Sequence, residues 1–170
     1  ADGKRLYAAA PSGSDAGGKV LVINTDPADV SNFHTQVAAL DAGRDPYGVT
    51  ATADPMKIAF TSLSDASGLG LITADASRNG GTIDNVSMYL GSRKDLFDVN
   101  NIVAVAIRPD LSYAFVAGLY DDVPVAPGTR GYFDTGSNIG IVKNPFGLEG
   151  LGERGLVAAT RSIPEGLIDN

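Results

Sequence analysis

The sequence predicts an all-β protein built from repeated antiparallel sheets, and three observations support this prediction. With 21 glycines, 9 prolines and only 19% charged residues among 170, the chain is rich in turns and poorer in charge than the globular average of about 25%. Apolar runs of strand length recur between Gly, Pro, Asn and Asp clusters, with no helical period. Segments of about 50 residues resemble one another, as in repeat architectures.

The clearest repeat begins with an aspartate. The matching segments are residues 2–9, 54–61 and 110–117, led by Asp2, Asp54 and Asp110 at separations of 52 and then 56 residues. An aspartate side chain can accept a hydrogen bond from the backbone ahead of it and so open a turn, and a β-rich run follows each one. We therefore expect one strand per segment, with Leu6, Ile58 and Ala114 in equivalent settings.

A second set of apolar runs follows at matching offsets. These runs are residues 20–23, 69–72 and 139–142. Gly70 and Gly140 occupy the second position in two of them. Because a glycine inside a strand often marks the close approach of another backbone, we expect these second strands to pack tightly against a neighbour.

Two further sets complete the repeat. The third set ends in Gly and comprises residues 37–43, 86–91 and, more weakly, 148–152. The fourth set precedes each Asp turn and comprises residues 47–52, 102–107 and 155–160. Small residues dominate the fourth set, which suits the crowded innermost strand of a ring of sheets. The run at 155–160 is accordingly predicted to open a further unit.

Four short strands per unit predict a partial β-propeller of about three four-stranded antiparallel blades. The approximate repeats are residues 1–53, 54–109 and 110–164, within one segment that covers residues 1–170. Closed propellers typically use about 4 to 8 blades. The remaining blades would come from a longer parent chain, of which this sequence would be a fragment, or from other protein subunits, and the sequence favours the longer parent.

At this point the residues resemble the YVTN-type propeller repeat. The resemblance rests on residues 19–26, 37–43 and 46–54, with Gly43-Arg-Asp-Pro-Tyr-Gly48 leading into an inner strand. The second unit lacks this Pro-x-Gly lead-in, and the resemblance fades after residue 118. It implies a microbial secreted or surface binding protein, or a lactonase-like enzyme. Fold and activity are separate questions, because one fold hosts many functions.

Long connections on one rim of the predicted sheets form the candidate site. Residues 119–138, 92–101 and 62–68 join strands at the same end, and binding residues often gather on such loops. The candidate binding residues are Tyr120, Asp121, Asp122, Arg93, Asp95, Phe97 and Asp98. The alternative is that these connections are solvated surface insertions that bind nothing.

A calcium ion is the one cofactor that the sequence suggests, through oxygen ligands. The first candidate group is Asp121, Asp122 and Asp134, and the second is Asp95, Asp98 and Asn100. Neither group has the spacing of the twelve-residue calcium loop, so solvated or turn-capping carboxylates are the alternative.

No residue is predicted to be catalytic. His34 is the only histidine, it falls on the rim opposite the long connections, and no Gly-x-Ser-x-Gly motif is present. The sequence therefore favours a non-enzymatic binding or structural module that engages a protein or glycan ligand. The alternative is a lactonase-like or metal-assisted hydrolase whose site is completed by blades outside this chain.

Charge and hydropathy exclude two classes of partner. A net charge of −7 without a basic stripe argues against nucleic-acid binding. The basic residues, Arg5 and Lys57 among them, are scattered and are expected to be solubilising side chains. No run approaches the roughly 18 apolar residues that span a bilayer, so membrane insertion is not expected. The resemblance implies a secreted, periplasmic or cell-surface location.

Overall fold

The structure is a computed structural model that describes residues 2–12, 17–43, 45–62, 68–86, 102–118 and 139–160. Within these ranges the chain forms eleven β-strands and no helix. The strands are β1 (Arg5–Ala10), β2 (Gly18–Asn24), β3 (Gln36–Gly43), β4 (Pro46–Ala51), β5 (Lys57–Ser62), β6 (Leu69–Ala74), β7 (Gly81–Val86), β8 (Ile102–Ile107), β9 (Tyr113–Gly118), β10 (Ile139–Lys143) and β11 (Gly155–Thr160). A search of this part of the chain for a helix long and apolar enough to cross a bilayer finds none.

The strands form three sheets in chain order. The first sheet contains β1-β2-β3, the second β4-β5-β6-β7 and the third β8-β9-β10-β11. All hydrogen-bonded neighbours are antiparallel. The predicted all-β fold of a partial, unclosed propeller is therefore confirmed.

Two strand assignments made from the sequence are wrong. Residues 155–160 were expected to open a further unit, but Ile141 of β10 pairs with Ala158, so β11 is the fourth strand of the third sheet. The reason is the connection after β10, at residues 144–154, in which Gly150 and Gly152 have φ of 83° and 80° and return the chain to β10. Residues 148–152 belong to this turn and form no strand.

The last strand of the second sheet also lies earlier than predicted. It spans Gly81–Val86, directly after the turn at residues 75–80. Only Val86 of the predicted run 86–91 lies in this strand, and the rest of that run is outside the described residues. Here the turn chemistry of Asn79 and Gly80 starts the strand, rather than the apolar run that follows it.

The sheets pack face to face, and the second sheet is buried on both sides. Its face toward the first sheet carries Ile58, Phe60 and Ile72, which cluster with Val20 and Tyr7. Its face toward the third sheet carries Ala59, Leu69 and Leu71, which cluster with Ala114, Val116 and Val142. Burying both faces explains why β5 and β6 are almost continuously apolar rather than alternating.

Two glycines explain how closely the strands approach. A Cβ at Gly48 of β4 would lie 2.9 Å from the carbonyl oxygen of Val103 in β8, so the predicted close approach of the inner strands is confirmed there. The expectation for Gly70 needs correction. A Cβ at Gly70 would lie 2.0 Å from Cζ of Phe60, so this glycine makes room for an aromatic ring rather than for a backbone.

Leu6, Ile58 and Ala114 have the same register but different burial. They pair with Ile23, Ile72 and Val142 respectively. Ile58 is 1% exposed and Ala114 is fully buried, whereas Leu6 is 52% exposed. The difference arises because Leu6 lies on the face of the first sheet that points away from the second.

Candidate functional site

The meander topology separates the strand ends into two rims. At one rim, here called the loop rim, the strands end or begin at Ser62, Leu69, Val86, Ile102 and Gly118. The connections over residues 63–68, 87–101 and 119–138 leave from this rim. The opposite rim, here called the Asp rim, carries the three Asp turns.

The predicted binding residues lie outside the described residues. This applies to Arg93, Asp95, Phe97, Asp98, Tyr120, Asp121 and Asp122, and equally to the calcium candidates Asn100 and Asp134. The described strands on either side of these connections fix where they begin and end, but the site itself stays a prediction.

The Asp turns form as the sequence predicts. In each repeat the aspartate Oδ1 accepts a hydrogen bond from the backbone nitrogen two residues later. The acceptors Asp2, Asp54 and Asp110 lie 3.1, 2.9 and 3.0 Å from the nitrogens of Lys4, Met56 and Ser112. These hydrogen bonds stabilise the turns that precede β1, β5 and β9.

A polar junction on the Asp rim joins the first and second sheets. Nη2 of Arg5, in β1, donates to Oδ1 of Asn79 at 2.7 Å, and its Nε donates to the carbonyl oxygen of Arg78 at 3.3 Å. Its Nη1 donates to Oδ1 of Asn24 at 2.7 Å. Arg5 thus holds a turn of the next sheet, and its expected role as a solubilising side chain is wrong.

Lys57, the residue of the second sheet that corresponds to Arg5, also contacts the next sheet. Lys57 stands three residues after its Asp, as Arg5 does, and its Nζ lies 5.6 Å from the ring centroid of Phe146 in the β10–β11 turn of the third sheet. A basic residue at a fixed offset from a repeated Asp was the sequence signal that could have predicted this junction. The signal is incomplete because Tyr113 takes this position in the third unit.

An ion pair reinforces the first junction. Nη1 and Nη2 of Arg78, from the β6–β7 turn, contact Oδ2 and Oδ1 of Asp2, the second at 3.0 Å. The hydrogen bond from Arg78 is the main reason that the pKa of Asp2 falls from 3.8 to about 2. The same bond raises the pKa of Arg78. Both groups are therefore charged at neutral pH.

The junction encloses a cavity of about 20 Å³, lined in part by Asp2, Arg5, Tyr7, Lys57 and Arg78. Tyr7 Oη and Arg78 Nε are both buried at this junction. Burial raises the pKa of Tyr7. A cavity of this size accommodates about one water. Because its hydrogen bonds run from β1 to the β6–β7 turn, the junction holds the first and second sheets together.

Buried asparagines organise the neighbouring turns of the Asp rim. Asn144, after β10, is 2% exposed, and its Nδ2 donates to the carbonyl oxygens of Leu148 and Gly152 at 3.0 and 2.7 Å. Asn24, at the end of β2, is fully buried and donates to Oδ2 of Asp29 at 2.8 Å. Asn144 therefore supplies the donor for two backbone carbonyl groups of its turn, and Oδ1 of Asn24 accepts a hydrogen bond from the backbone nitrogen of Asp26 at 3.0 Å.

His34 lies on the β2–β3 turn, on the Asp rim, as predicted. Its φ is 60°, its backbone nitrogen donates to the carbonyl oxygen of Asn24 at 2.8 Å, and its ring stacks on Phe33 at 3.8 Å between centroids. These contacts describe a residue that shapes a turn.

Among residues 2–12, 17–43, 45–62, 68–86, 102–118 and 139–160, no group of three or more His, Cys, Asp or Glu is arranged to hold a metal ion. Both predicted calcium groups lie outside these ranges.

Comparison with known proteins supports the fold. No protein-family model and no curated protein sequence matches the chain. A candidate 6-phosphogluconolactonase from Bacteroides fragilis is similar in structure, with a TM-score of 0.56 and 14% identity over 95% of this chain. The hydrazine synthase of Kuenenia stuttgartiensis is similar with a TM-score of 0.60 and 17% identity, again over 95% of this chain. This chain spans 37% and 47% of those two chains. Both neighbours have β-propeller-type folds, so the chain is similar to part of a propeller, coarsely consistent with a lactonase-like one.

Proposed function

We propose that the chain is a non-enzymatic β-propeller binding or structural module that engages a protein or glycan ligand through its loop rim. The observation that carries this proposal is that the longest connections leave the sheets at one rim. On the Asp rim, Asp2, Arg5 and Arg78 hold one sheet to the next. The longest connections, at residues 87–101 and 119–138, leave from the other rim, and long loops on a rigid scaffold are where binding residues usually gather.

The finer assignments belong to the same proposal. The chain would be a YVTN-type repeat segment of a secreted, periplasmic or cell-surface protein, supported by the Asp turns and by the lead-in through Pro46 and Gly48 to an inner strand. The remaining blades would come from a longer parent chain or from other subunits. A calcium ion held by Asp121, Asp122 and Asp134 would stabilise the loop rim.

Binding to arrayed glycans and to immobilised proteins of the same source tests the proposal. The triple variant Tyr120→Ala/Asp121→Ala/Asp122→Ala should lose the binding of the native chain. The matched triple variant Asp29→Ala/Asn32→Ala/His34→Ala, on the Asp rim, should keep it. Equal loss in both variants would contradict a role for the loop rim. If calcium stabilises this rim, chelation should lower the melting temperature of the native chain but not of Asp121→Asn/Asp122→Asn.

A lactonase-like or metal-assisted hydrolase is the second candidate, favoured by the structural similarity to the candidate lactonase. Such an enzyme would need carboxylates, histidines or a metal near the central channel. The inner strands β4 and β8 carry no carboxylate and no histidine, so those groups would have to come from other blades or from the loop rim. Ring opening of a δ-lactone, with and without calcium, tests this candidate. Turnover by the 170-residue chain above the buffer rate would overturn the non-enzymatic proposal.

A further inference from the structure

The turn between β6 and β7 contains the one Asn-Gly dipeptide of the sequence, Asn79-Gly80. The backbone nitrogen of a glycine is unhindered, because the residue has no side chain, and it can reach the amide carbon of an asparagine directly before it. Asn79 is exposed and lies outside the strands, in the turn at residues 75–80. Asn85 is also exposed, but Val86 follows it and lies in the same strand. Sequence and position therefore make Asn79 the asparagine best placed to react with its own backbone.

A cation holds the side-chain oxygen of Asn79. Nη2 and Nε of Arg5 donate to its Oδ1 at 2.7 and 3.2 Å. Arg5 is itself held in place, because its Nη1 donates to Oδ1 of Asn24 and to the carbonyl oxygen of Lys4, both at 2.7 Å. A guanidinium on a carbonyl oxygen draws electrons from the carbonyl carbon and stabilises negative charge that develops on that oxygen, as the donors of an oxyanion hole do. Cγ of Asn79 is therefore activated toward a nucleophile.

We propose that Asn79 is a self-modification site, which is converted to aspartate through a cyclic imide with Gly80 and then pairs with Arg5. In the first step the nitrogen of Gly80 bonds to Cγ of Asn79, the bond from Cγ to Nδ2 breaks, and the proton of the Gly80 nitrogen leaves with the amide group as ammonia. In the second step water adds to Cγ and the bond from Cγ to the Gly80 nitrogen breaks, which restores the backbone. The new carboxyl group gives its proton to ammonia, so the products are a carboxylate and ammonium. The only co-reactant is water.

Arg5 also selects between two products. In an unstructured chain, water attacks mainly the main-chain carbonyl of the imide and leaves isoaspartate, which has an extra carbon in the backbone. In the folded chain the guanidinium lies at the oxygen on Cγ, so it favours attack at Cγ and hence aspartate. The turn opposes isoaspartate as well, because the nitrogen of Asp75 donates to the carbonyl oxygen of Gly80 at 3.1 Å and Gly81 pairs with Ala74. An extra backbone atom would displace both contacts.

The product fits the junction between the first and second sheets. A carboxylate at position 79 presents its oxygens to Nη2 and Nε of Arg5, and a hydrogen bond between two charged groups is shorter and stronger than one to a neutral amide. The same turn carries a second carboxylate, Asp75, whose Oδ1 accepts a hydrogen bond from Oγ of Ser77 at 2.6 Å. The attraction of Arg5 must outweigh the repulsion from Asp75. The modification is separate from binding at the loop rim and does not depend on it.

Peptide mapping of the folded 170-residue chain, aged at mildly alkaline pH, tests the site. Cleavage after lysine releases residues 58–94, which contain Asn79 and Asn85 and no other asparagine. Fragment masses should show the replacement of –NH2 by –OH several times faster at Asn79 than at Asn85. Asn24, which contacts the same guanidinium but is fully buried, should stay unchanged. Equal rates at Asn79 and Asn85 would overturn the proposal.

The ratio of the two products tests the role of Arg5. Chromatography against synthetic standards separates the aspartate and isoaspartate peptides. Aspartate should dominate in the folded chain, and isoaspartate in a chain aged in guanidinium chloride. Arg5→Met removes the donors and should shift the products toward isoaspartate, whereas Lys4→Met, at a neighbouring basic residue on the same rim, should keep the native ratio. Isoaspartate as the main product of the folded native chain, or a native ratio in Arg5→Met, would overturn the proposal.

The variant Asn79→Asp supplies the product directly and does not require Arg5→Met to fold. Its midpoint of urea unfolding at neutral pH and low salt should exceed that of the native chain, because the new carboxylate pairs with Arg5. The difference should shrink at high salt, which screens exposed charges. A midpoint at or below that of the native chain would show that the carboxylate does not pair with Arg5, and this result would also overturn the proposal.

Discussion

The contact between Phe60 and Gly70 lets the packing of the second sheet be tested quantitatively. The two residues pair across β5 and β6, and Phe60 is fully buried. A Cβ at Gly70 would lie 2.0 Å from Cζ and 2.2 Å from Cε1 of the ring, so the ring covers the glycine. Phe60→Ala should cost about 3–5 kcal/mol of unfolding free energy through the cavity it leaves. Gly70→Ala should cost about 1–3 kcal/mol because the ring must move.

The double variant Phe60→Ala/Gly70→Ala is expected to cost less than the two single variants together. Its new methyl group occupies space that the ring has vacated, and contacting residues typically couple by about 0.5–3 kcal/mol. Urea unfolding followed by circular dichroism measures all three variants. Phe33→Ala, at an aromatic residue that is 40% exposed, is the control and should cost under about 1 kcal/mol. Additive costs for Phe60 and Gly70 would refute the ring-on-glycine packing.

Three further perturbations test the Asp rim by urea unfolding. Folding depresses the pKa of Asp2 from 3.8 to about 2. Its ion pair with Arg78 should therefore stabilise the fold above about pH 4 and lose this effect as the pH falls to about 2. The unfolding free energy of Asp2→Asn should depend less on acid pH, and an unchanged pH dependence would contradict the pairing. Asp54→Ala should cost about 1 kcal/mol by removing the turn bond, whereas Asp54→Asn should keep most of it. Asn144→Ala should lower the unfolding free energy by about 2 kcal/mol, because two carbonyl oxygens lose their donor and the residue has a φ of 45°. A cost near zero would show that water replaces the side chain.

The sequence was sufficient for features that depend on local chemistry. The Asp turns, the short strands and the small inner strands were predictable because one residue type at one offset decides each of them. Gly48 is an example, since a Cβ at this position would lie only 2.9 Å from the carbonyl oxygen of Val103. The location of β11 was not predictable in this way. An apolar run at residues 155–160 suits either an inner or an outer strand, and the return of the chain through Gly150 and Gly152 decides between them.

The polar junction of the Asp rim was less predictable than the fold for a physical reason. The polar junction depends on Asp2, Arg5 and Arg78, and Arg78 lies 73 residues from Arg5 along the chain. Such a pairing becomes visible only when two sheets are stacked, although the basic residue at a fixed offset from Asp2 and Asp54 indicated half of it. The loop-rim residues are a different case, because no repeated pattern constrains them.

The division between the rims also limits where new function can arise in this fold. On the Asp rim, a change at Arg5 removes hydrogen bonds to two turns at once, to Asn79 and to Asn24. Recognition of a ligand there would compete with the contacts that hold neighbouring sheets together. On the loop rim, hydrogen bonds to neighbouring strands already hold the strands up to Val86 and Gly118, where the long connections begin. Insertions there cost little, because the loop-closure penalty rises only slowly with length. Sequence change that alters binding without loosening the stack should therefore concentrate at the loop rim, and the paired triple variants described above measure this difference directly.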